Sequence, residues 1–226
     1  MKYLAIRGCR IGEGRPKVIL PIVEQTEEAI LEKAAQFSTW KADCVEWRVD
    51  LFADAQDLSA VARCAAKLRV ALKDKLLLIT FRTKAEGGHA ALSHEDYLRF
   101  LRTVLDTDCA DLIDLEFFTA GADLPGMIAD AHTAGAAVVC SSHDFQKTPP
   151  RAELVDRMVR MQQAGADLPK LAVMPRCRTD VLTLLAATAE MADCHPDTPV
   201  ITMSMGALGA VSRLAGEAFG SAMTFA

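Results

Sequence analysis

The sequence has no surplus of positive charge: 25 Lys and Arg stand against 30 Asp and Glu, a net charge of −5. That balance leaves no electrostatic footprint for a nucleic acid. It has no run of 18 apolar residues, so nothing in it reads as a membrane span. Its opening, Met1 to Arg7, lacks the apolar core and small-residue cleavage site of a signal peptide. Its seven cysteines (Cys9, Cys44, Cys64, Cys109, Cys140, Cys177 and Cys194) are odd in number, scattered and without a C-x-x-C pair. A chain of this length does not need disulfides to fold, so the thiols are expected to be reduced and the protein cytoplasmic. Only His89 and His94 have a spacing suited to a metal. No third ligand accompanies them, so no metal is expected.

What is there is apolar and periodic. Hydrophobic residues make up 51% of 226 positions, enough for one large domain or two small ones. Residues 2–7 and 9–11 suit a short hairpin, with 12–16 as a loop. Eight strand-like runs follow, at 18–23, 44–49, 76–81, 112–117, 137–142, 170–174, 200–205 and 221–225, their starts 26, 32, 36, 25, 33, 30 and 21 residues apart. Helical patterns fill the gaps at 27–38, 58–72, 95–105, 124–134, 151–164, 179–191 and 208–218. Strand–helix alternation at about 30 residues indicates parallel βαβ units. Eight of them are the number for a (β/α)8 barrel. The expected fold is therefore α/β: a single domain over 1–226, with an N-terminal hairpin in 1–16 and a TIM barrel over 18–226. A doubly wound open sheet is the alternative; it would usually have fewer strands, and no G-x-G-x-x-G follows the first run.

The parity of the strands says where chemistry would lie, because successive residues point to opposite faces. Val45, Trp47 and Val49 oppose Glu46 and Arg48; Leu77, Ile79 and Phe81 oppose Thr80 and Arg82; Ile113, Leu115 and Phe117 oppose Asp114 and Glu116. Ser141 shares a face with His143, and Lys170 with Ala172. In a barrel this puts ionisable groups inside, near the strands' C-terminal ends, where the active sites of such barrels sit. Lys170 lies in an apolar run that Pro169 and Pro175 are expected to bound. A lysine head in solvent is the commoner arrangement for such a residue taken alone. Burial favours the neutral amine, and a neutral amine forms an imine with a carbonyl. His143, at a strand end, suits proton transfer near neutral pH. Glu86, before Gly87 and Gly88, could orient that histidine or be solvated. Glu46 and Arg48 form either a cross-strand ion pair or a polar floor for ligand hydroxyls. Met203 and Met205 suit a pocket wall as well as a core. Arg213 follows a glycine-containing turn and could clamp a carboxylate.

Taken together, Glu46-Trp47-Arg48-Val49-Asp50, Thr80-Phe81-Arg82 with Glu86-Gly87-Gly88, Ile113-Asp114-Leu115-Glu116, His143-Asp144-Phe145, Pro169-Lys170-Leu171-Ala172-Val173-Met174-Pro175 and Ser212-Arg213-Leu214-Ala215-Gly216 resemble a type I 3-dehydroquinate dehydratase of the shikimate pathway. The resemblance runs from Ile11 to Ala226. It implies a homodimeric lyase that needs neither metal nor bound cofactor and turns 3-dehydroquinate into 3-dehydroshikimate and water through a lysine imine. By resemblance, Lys170 forms the imine, His143 is the general acid and base, and Glu86 is its partner. Glu46, Arg48 and Arg82 hold ring hydroxyls, Arg213 the carboxylate, and Met203, Met205 and Phe225 complete the substrate site. The chain departs from the family at Pro21, where a serine is common, and at Ser142, where bulkier residues also occur. The family also continues past the last strand with a Ser-Ala-Pro-Gly-Gln-like loop and a final helix, neither of which is in this sequence, so the working protein is expected to extend beyond Ala226. An imine aldolase and a non-catalytic scaffold are the competing functions. The arginine and glutamate set argues against the first, and the presence of both Lys170 and His143 against the second.

Overall fold

The computed structural model describes residues 2–226. The hairpin pairs β1 (Leu4–Ile6) with β2 (Cys9–Ile11), antiparallel. Its two turn residues, Arg7 and Gly8, both have positive φ, 46° and 77°, the conformation whose twist matches a two-residue hairpin. The chain then alternates: β3 (Lys17–Ile22), α1 (Glu27–Thr39), β4 (Cys44–Arg48), α2 (Leu58–Leu72), β5 (Leu76–Thr80), α3 (His94–Leu105), β6 (Leu112–Glu116) and the short α4 (Phe117–Ala120). After these come α5 (Leu124–Thr133), β7 (Ala137–Asp144), α6 (Arg151–Gln163), β8 (Leu168–Val173), α7 (Arg178–Cys194), β9 (Ile201–Ser204), α8 (Ala210–Leu214), α9 (Gly216–Phe219) and β10 (Met223–Phe225). The sheet order is β10-β3-β4-β5-β6-β7-β8-β9, and with its intervening helices this is the parallel topology of a (β/α)8 barrel. Among the described residues no helix is long and apolar enough to cross a membrane.

By its internal contacts the chain divides into two units, Ile19–Val138 with Ala226, and residues 2–18 with Val139–Phe225. In Ile19–Val138 every residue of β5 and β6 is buried on both faces, as strands between helices and a packed interior must be. Trp47 packs against Phe52 and Phe81 against Phe100, with ring centroids 5.8 and 5.2 Å apart. The helices start where side chains satisfy their free N–H groups: Asp57 accepts from Ser59 N and Ala60 N, and Ser93 from Asp96 N. In Val139–Phe225, Leu154, Met158 and Met161 of α6 and Leu184 and Met191 of α7 are buried, and Thr188 of α7 is hydrogen-bonded to Thr202 of β9 at 2.7 Å.

Several element boundaries differ from the sequence reading. Pro169 does not bound its strand but is its second residue, opposite Cys140; a missing donor is tolerated near a strand's start. β7 continues two residues beyond the expected end, so His143 lies within it. Val49 and Phe117 leave their strands for a 3-10 turn and for α4. The helix expected over 208–218 is two short ones, interrupted at Ala215 with φ −98° and ψ 4°. Leu208, Val211 and Leu214, which fall in that pattern, are exposed. The last strand shrinks to Met223–Phe225, and Ser221 keeps only an isolated bridge to Val200.

Candidate active site

In Ile19–Val138 the charged residues cluster at the C-terminal ends of β4, β5 and β6. Arg82 is buried, and its guanidinium meets three carboxylates: Asp114 at 2.8 Å, Glu116 at 2.9 Å and Glu86 at 3.5 Å. Burial works to lower the Arg82 pKa, but Asp114, Glu116 and Glu86 outweigh it and hold it above its ordinary value. Glu116 is saturated: besides Arg82 it accepts from Thr83 N at 2.8 Å, Thr83 Oγ1 at 2.7 Å and Thr119 Oγ1 at 2.6 Å. Tyr97 Oη accepts from Glu116 N at 2.9 Å. Burial first, then the charges of Glu116 and Asp114, push the Tyr97 phenol well up, keeping it neutral.

Glu46 is buried and accepts from Thr80 Oγ1 at 2.9 Å on the neighbouring strand. Arg48 turns to Asp50, with Nε at 2.8 Å and Nη2 at 2.9 Å. The sequence left open ion pairing from this strand face across to a neighbouring strand; the two-pronged partner of Arg48 is instead Asp50, two residues along its own segment. Burial pushes the Asp50 carboxyl up, but the Arg48 fork and the N–H groups of His89 and Arg82 outweigh it and hold it below the ordinary carboxylate range.

In Val139–Phe225 the register of β7, β8 and β9 sets the arrangement. Ser141 pairs with Lys170 and Lys170 with Ile201; one layer further along, His143 pairs with Ala172 and Ala172 with Met203. Directly paired residues share a face, so Lys170, His143 and Met203 point to the same side. Lys170 is only 3% exposed, which decides between the two sequence readings: its head is not in solvent. Its Nζ stands 4.6 Å from the centroid of the Phe225 ring, a cation–π distance. The His143 ring stacks on Phe145, centroids 6.4 Å apart and planes at 20°. Asp144 accepts from Gln146 N and Lys147 N at 2.9 and 3.0 Å, so it shapes the turn after the strand. Met203 is buried. Met205, half-buried, donates its N–H to Val173 O at 2.8 Å.

Arg213 sits on α8 with an exposed side chain. Among the described residues it has no ion-pair partner, so its five donors remain available to an anion. α8 is held by Ser212, whose Oγ donates to Gly209 O at 2.7 Å and accepts from Ser204 N at 2.9 Å. Sequence reasoning assigned no role to Asp50, Asp114 and Glu116 individually. Asp114 and Glu116 were visible as the charged face of a strand, but nothing in sequence ties them to Arg82, 32 and 34 residues earlier.

Comparison with known proteins bears directly on this arrangement. The family model for type I 3-dehydroquinase matches residues 18–226. A 3-dehydroquinate dehydratase of Bacillus subtilis is 47% identical over 100% of this chain and 88% of its own length. One of Salmonella agona is 44% identical over 100% of this chain and 89% of its own. Among solved structures, the type I 3-dehydroquinate dehydratase of Clostridium difficile superposes with a TM-score of 0.97 at 42% identity, covering 100% of this chain and 89% of that one. The 3-dehydroquinate dehydratase of Enterococcus faecalis gives 0.96 at 44%, covering 98% and 92%. On a family match across nearly all of the barrel and on relatives this similar along the whole sequence, the chain belongs to the type I 3-dehydroquinases.

Proposed function

We propose that the chain dehydrates 3-dehydroquinate to 3-dehydroshikimate, with Lys170 forming an imine and His143 moving the protons. Membership of the family makes it a hydro-lyase; the residue roles are our reading. Lys170 attacks the ring ketone and water leaves, giving an iminium. That cation is an electron sink, so His143 can remove a C2 proton to give an enamine. The C1 hydroxyl then departs as water, taking its proton from His143. Hydrolysis of the product iminium returns the amine. General acid–base help of this kind contributes typically about 10²–10⁴-fold. Glu86 acts as the partner of the histidine. Glu46, Arg48 and Arg82 take ring hydroxyls, Arg213 the carboxylate, and Met203, Met205 and Phe225 the apolar edges. No bound cofactor is required, because the lysine supplies the electron sink.

The observation that carries this reading is a lysine buried inside a strand, under an aromatic ring at 4.6 Å and one register step from a histidine. An aromatic face attracts a cation, so Phe225 suits both an ammonium and the iminium that would replace it. The Clostridium difficile relative, solved with covalent modified comenic acid, supports covalent chemistry in the family. Borohydride added with 3-dehydroquinate, followed by peptide mass mapping, is the test. Reduced ligand mass on the peptide containing Lys170 is expected; labelling at another lysine would end the reading. The same reading has the enzyme work as a cytoplasmic homodimer, one barrel domain per chain, and sedimentation of the purified protein checks the dimer.

A further inference from the structure

Two groups assigned to the reaction, Arg82 and Glu86, lie on the segment that follows β5, and something must hold that segment still. It closes partly on itself. Gly88 N donates to Thr83 O at 2.8 Å and Lys84 N to Ala90 O at 2.9 Å, with a 3-10 turn at Lys84–Glu86 between them. Its two ends are fastened elsewhere. Arg82 N donates to Asp50 Oδ1 at 3.2 Å, and His89 N donates to Asp50 Oδ2 at 3.0 Å. The same two oxygens receive Arg48 Nε and Nη2. An ionised carboxylate offers about four lone-pair sites, and four donors fill them here. Asp50 is only 2% exposed. It therefore has no capacity left for a ligand. The Arg48 side chain keeps 23% of its surface exposed, and Asp50 takes two of its five N–H donors, so the rest of the fork stays open.

We propose that Asp50 is a positioning residue: one carboxylate fixes the direction of the Arg48 guanidinium and pins both ends of the 82–89 segment, so that Arg48 and Glu86 are set before substrate arrives. This rests on the reading above, in which Arg48 binds substrate and Glu86 serves the histidine. The carboxylate is suited to the task because all four of its partners are donors. In Asp50→Asn one oxygen becomes an NH2 group, which must face either His89 N–H and Arg48 Nη2 or Arg82 N–H and Arg48 Nε. Either way donors meet donors, and the segment and the arginine come loose together.

The test combines kinetics with hydrogen exchange. A misplacement of about 1 Å can cost on the order of 10²-fold in rate, so Asp50→Asn should lower kcat/KM by about 10- to 100-fold, through both kcat and KM. Exchange of the 82–90 peptide should speed up. Adding Asp50→Asn to Arg48→Ala should then raise KM little further, and adding it to Glu86→Gln should lower kcat little further. Losses that simply multiply in both backgrounds overturn the proposal, because a merely structural residue acts independently of what it is said to place. Should Asp50→Asn fail to fold, the wild-type protein decides: the amides of Arg82 and His89 must exchange slowly, and fast exchange at either overturns the proposal. The underlying reading fails in a different place, as wild-type kinetics of Arg48→Ala or Glu86→Gln alone.

Discussion

Replacing Arg82 by methionine keeps most of the side-chain volume and removes the cation that joins Asp114, Glu116 and Glu86. Asp114 and Glu116 have fully buried side chains and meet that guanidinium at 2.8 and 2.9 Å. Removing one partner of a buried ion pair typically costs about 3–5 kcal/mol, because the other charge stays desolvated. Glu116 keeps its three bonds from Thr83 and Thr119, which limits its share. Asp114 loses the Arg82 guanidinium at 2.8 Å, so a large part of the loss falls on it. Against a typical total of about 5–15 kcal/mol, Arg82→Met should take away roughly a fifth of the stability or more. A coupling between the two sites follows as well as a size. Asp114→Asn alone should destabilise, since it weakens a charge-assisted bond to Arg82. In the Arg82→Met background the same change removes a buried charge no longer paired with Arg82, so its cost should fall by on the order of 0.5–3 kcal/mol, the range of such couplings between contacting residues. Urea unfolding followed by tryptophan fluorescence measures all four proteins, Trp47 being fully buried. Asp114→Asn costing the same in both backgrounds would refute the argument.

His143→Ala should lower kcat by about 10²–10⁴-fold and leave binding far less affected; because Lys170 remains, borohydride should still trap an imine, and near-normal turnover would remove His143 from the mechanism. Gly88→Ala should be costly for a local reason: its Cβ would lie 1.8 Å from Arg82 O and 2.4 Å from Arg82 C. Backbone cannot swing aside as a side-chain tip can, so the loss should reach the top of the ~1–3 kcal/mol range for overpacking or beyond it, as a shift in the urea midpoint. His94 bonds Asp123 Oδ2 through Nε2 and Thr119 O through Nδ1; Asp123 first, then that carbonyl, raise its pKa. Both partners are acceptors, so only the imidazolium donates to both. Its contribution is thus fully present below the unfolded-state value near ~6.5 and lost as pH rises through the raised folded value. The Tm difference between wild type and His94→Gln should be largest near pH 6 and vanish in alkali; a difference that grew with pH would contradict this.

Lys170 was legible because it breaks an otherwise apolar strand, where a charge needs a reason, and His143 because it stands at a strand's end on the face it shares with Ser141. The strand count was legible too, since period-two runs recurred every 30 residues or so. Other features were hidden for identifiable causes. Asp50 reads as one more acidic residue after a strand; its donors Arg82 N and His89 N approach only when β4 and β5 align, Cys44 beside Leu76 and Arg48 beside Thr80. The break in the 208–218 pattern was masked because helical periodicity records where apolar residues recur and not whether they are covered. There Gly209 packs so tightly that a Cβ would lie 2.2 Å from Ser204 O, and Ser212 ties the turn to β9. That packing sets a short helix where periodicity favoured a long one.

The thiols have a practical consequence. Cys44, Cys64, Cys109 and Cys140 are buried, and Cys9 is half-buried. Burial pushes the Cys64 thiol up to about 12, so it stays unreactive at neutral pH. Cys177 and Cys194 are exposed, and they sit at the two ends of α7: Cys177 is its N-cap and Cys194 its last residue. At about 1.5 Å of rise per residue their Cα atoms lie roughly 25 Å apart along the helix axis. With Cys9 replaced by serine, two maleimide dyes or spin labels would therefore attach to opposite ends of the helix that follows the Lys170 strand, giving a built-in ruler for that part of the chain.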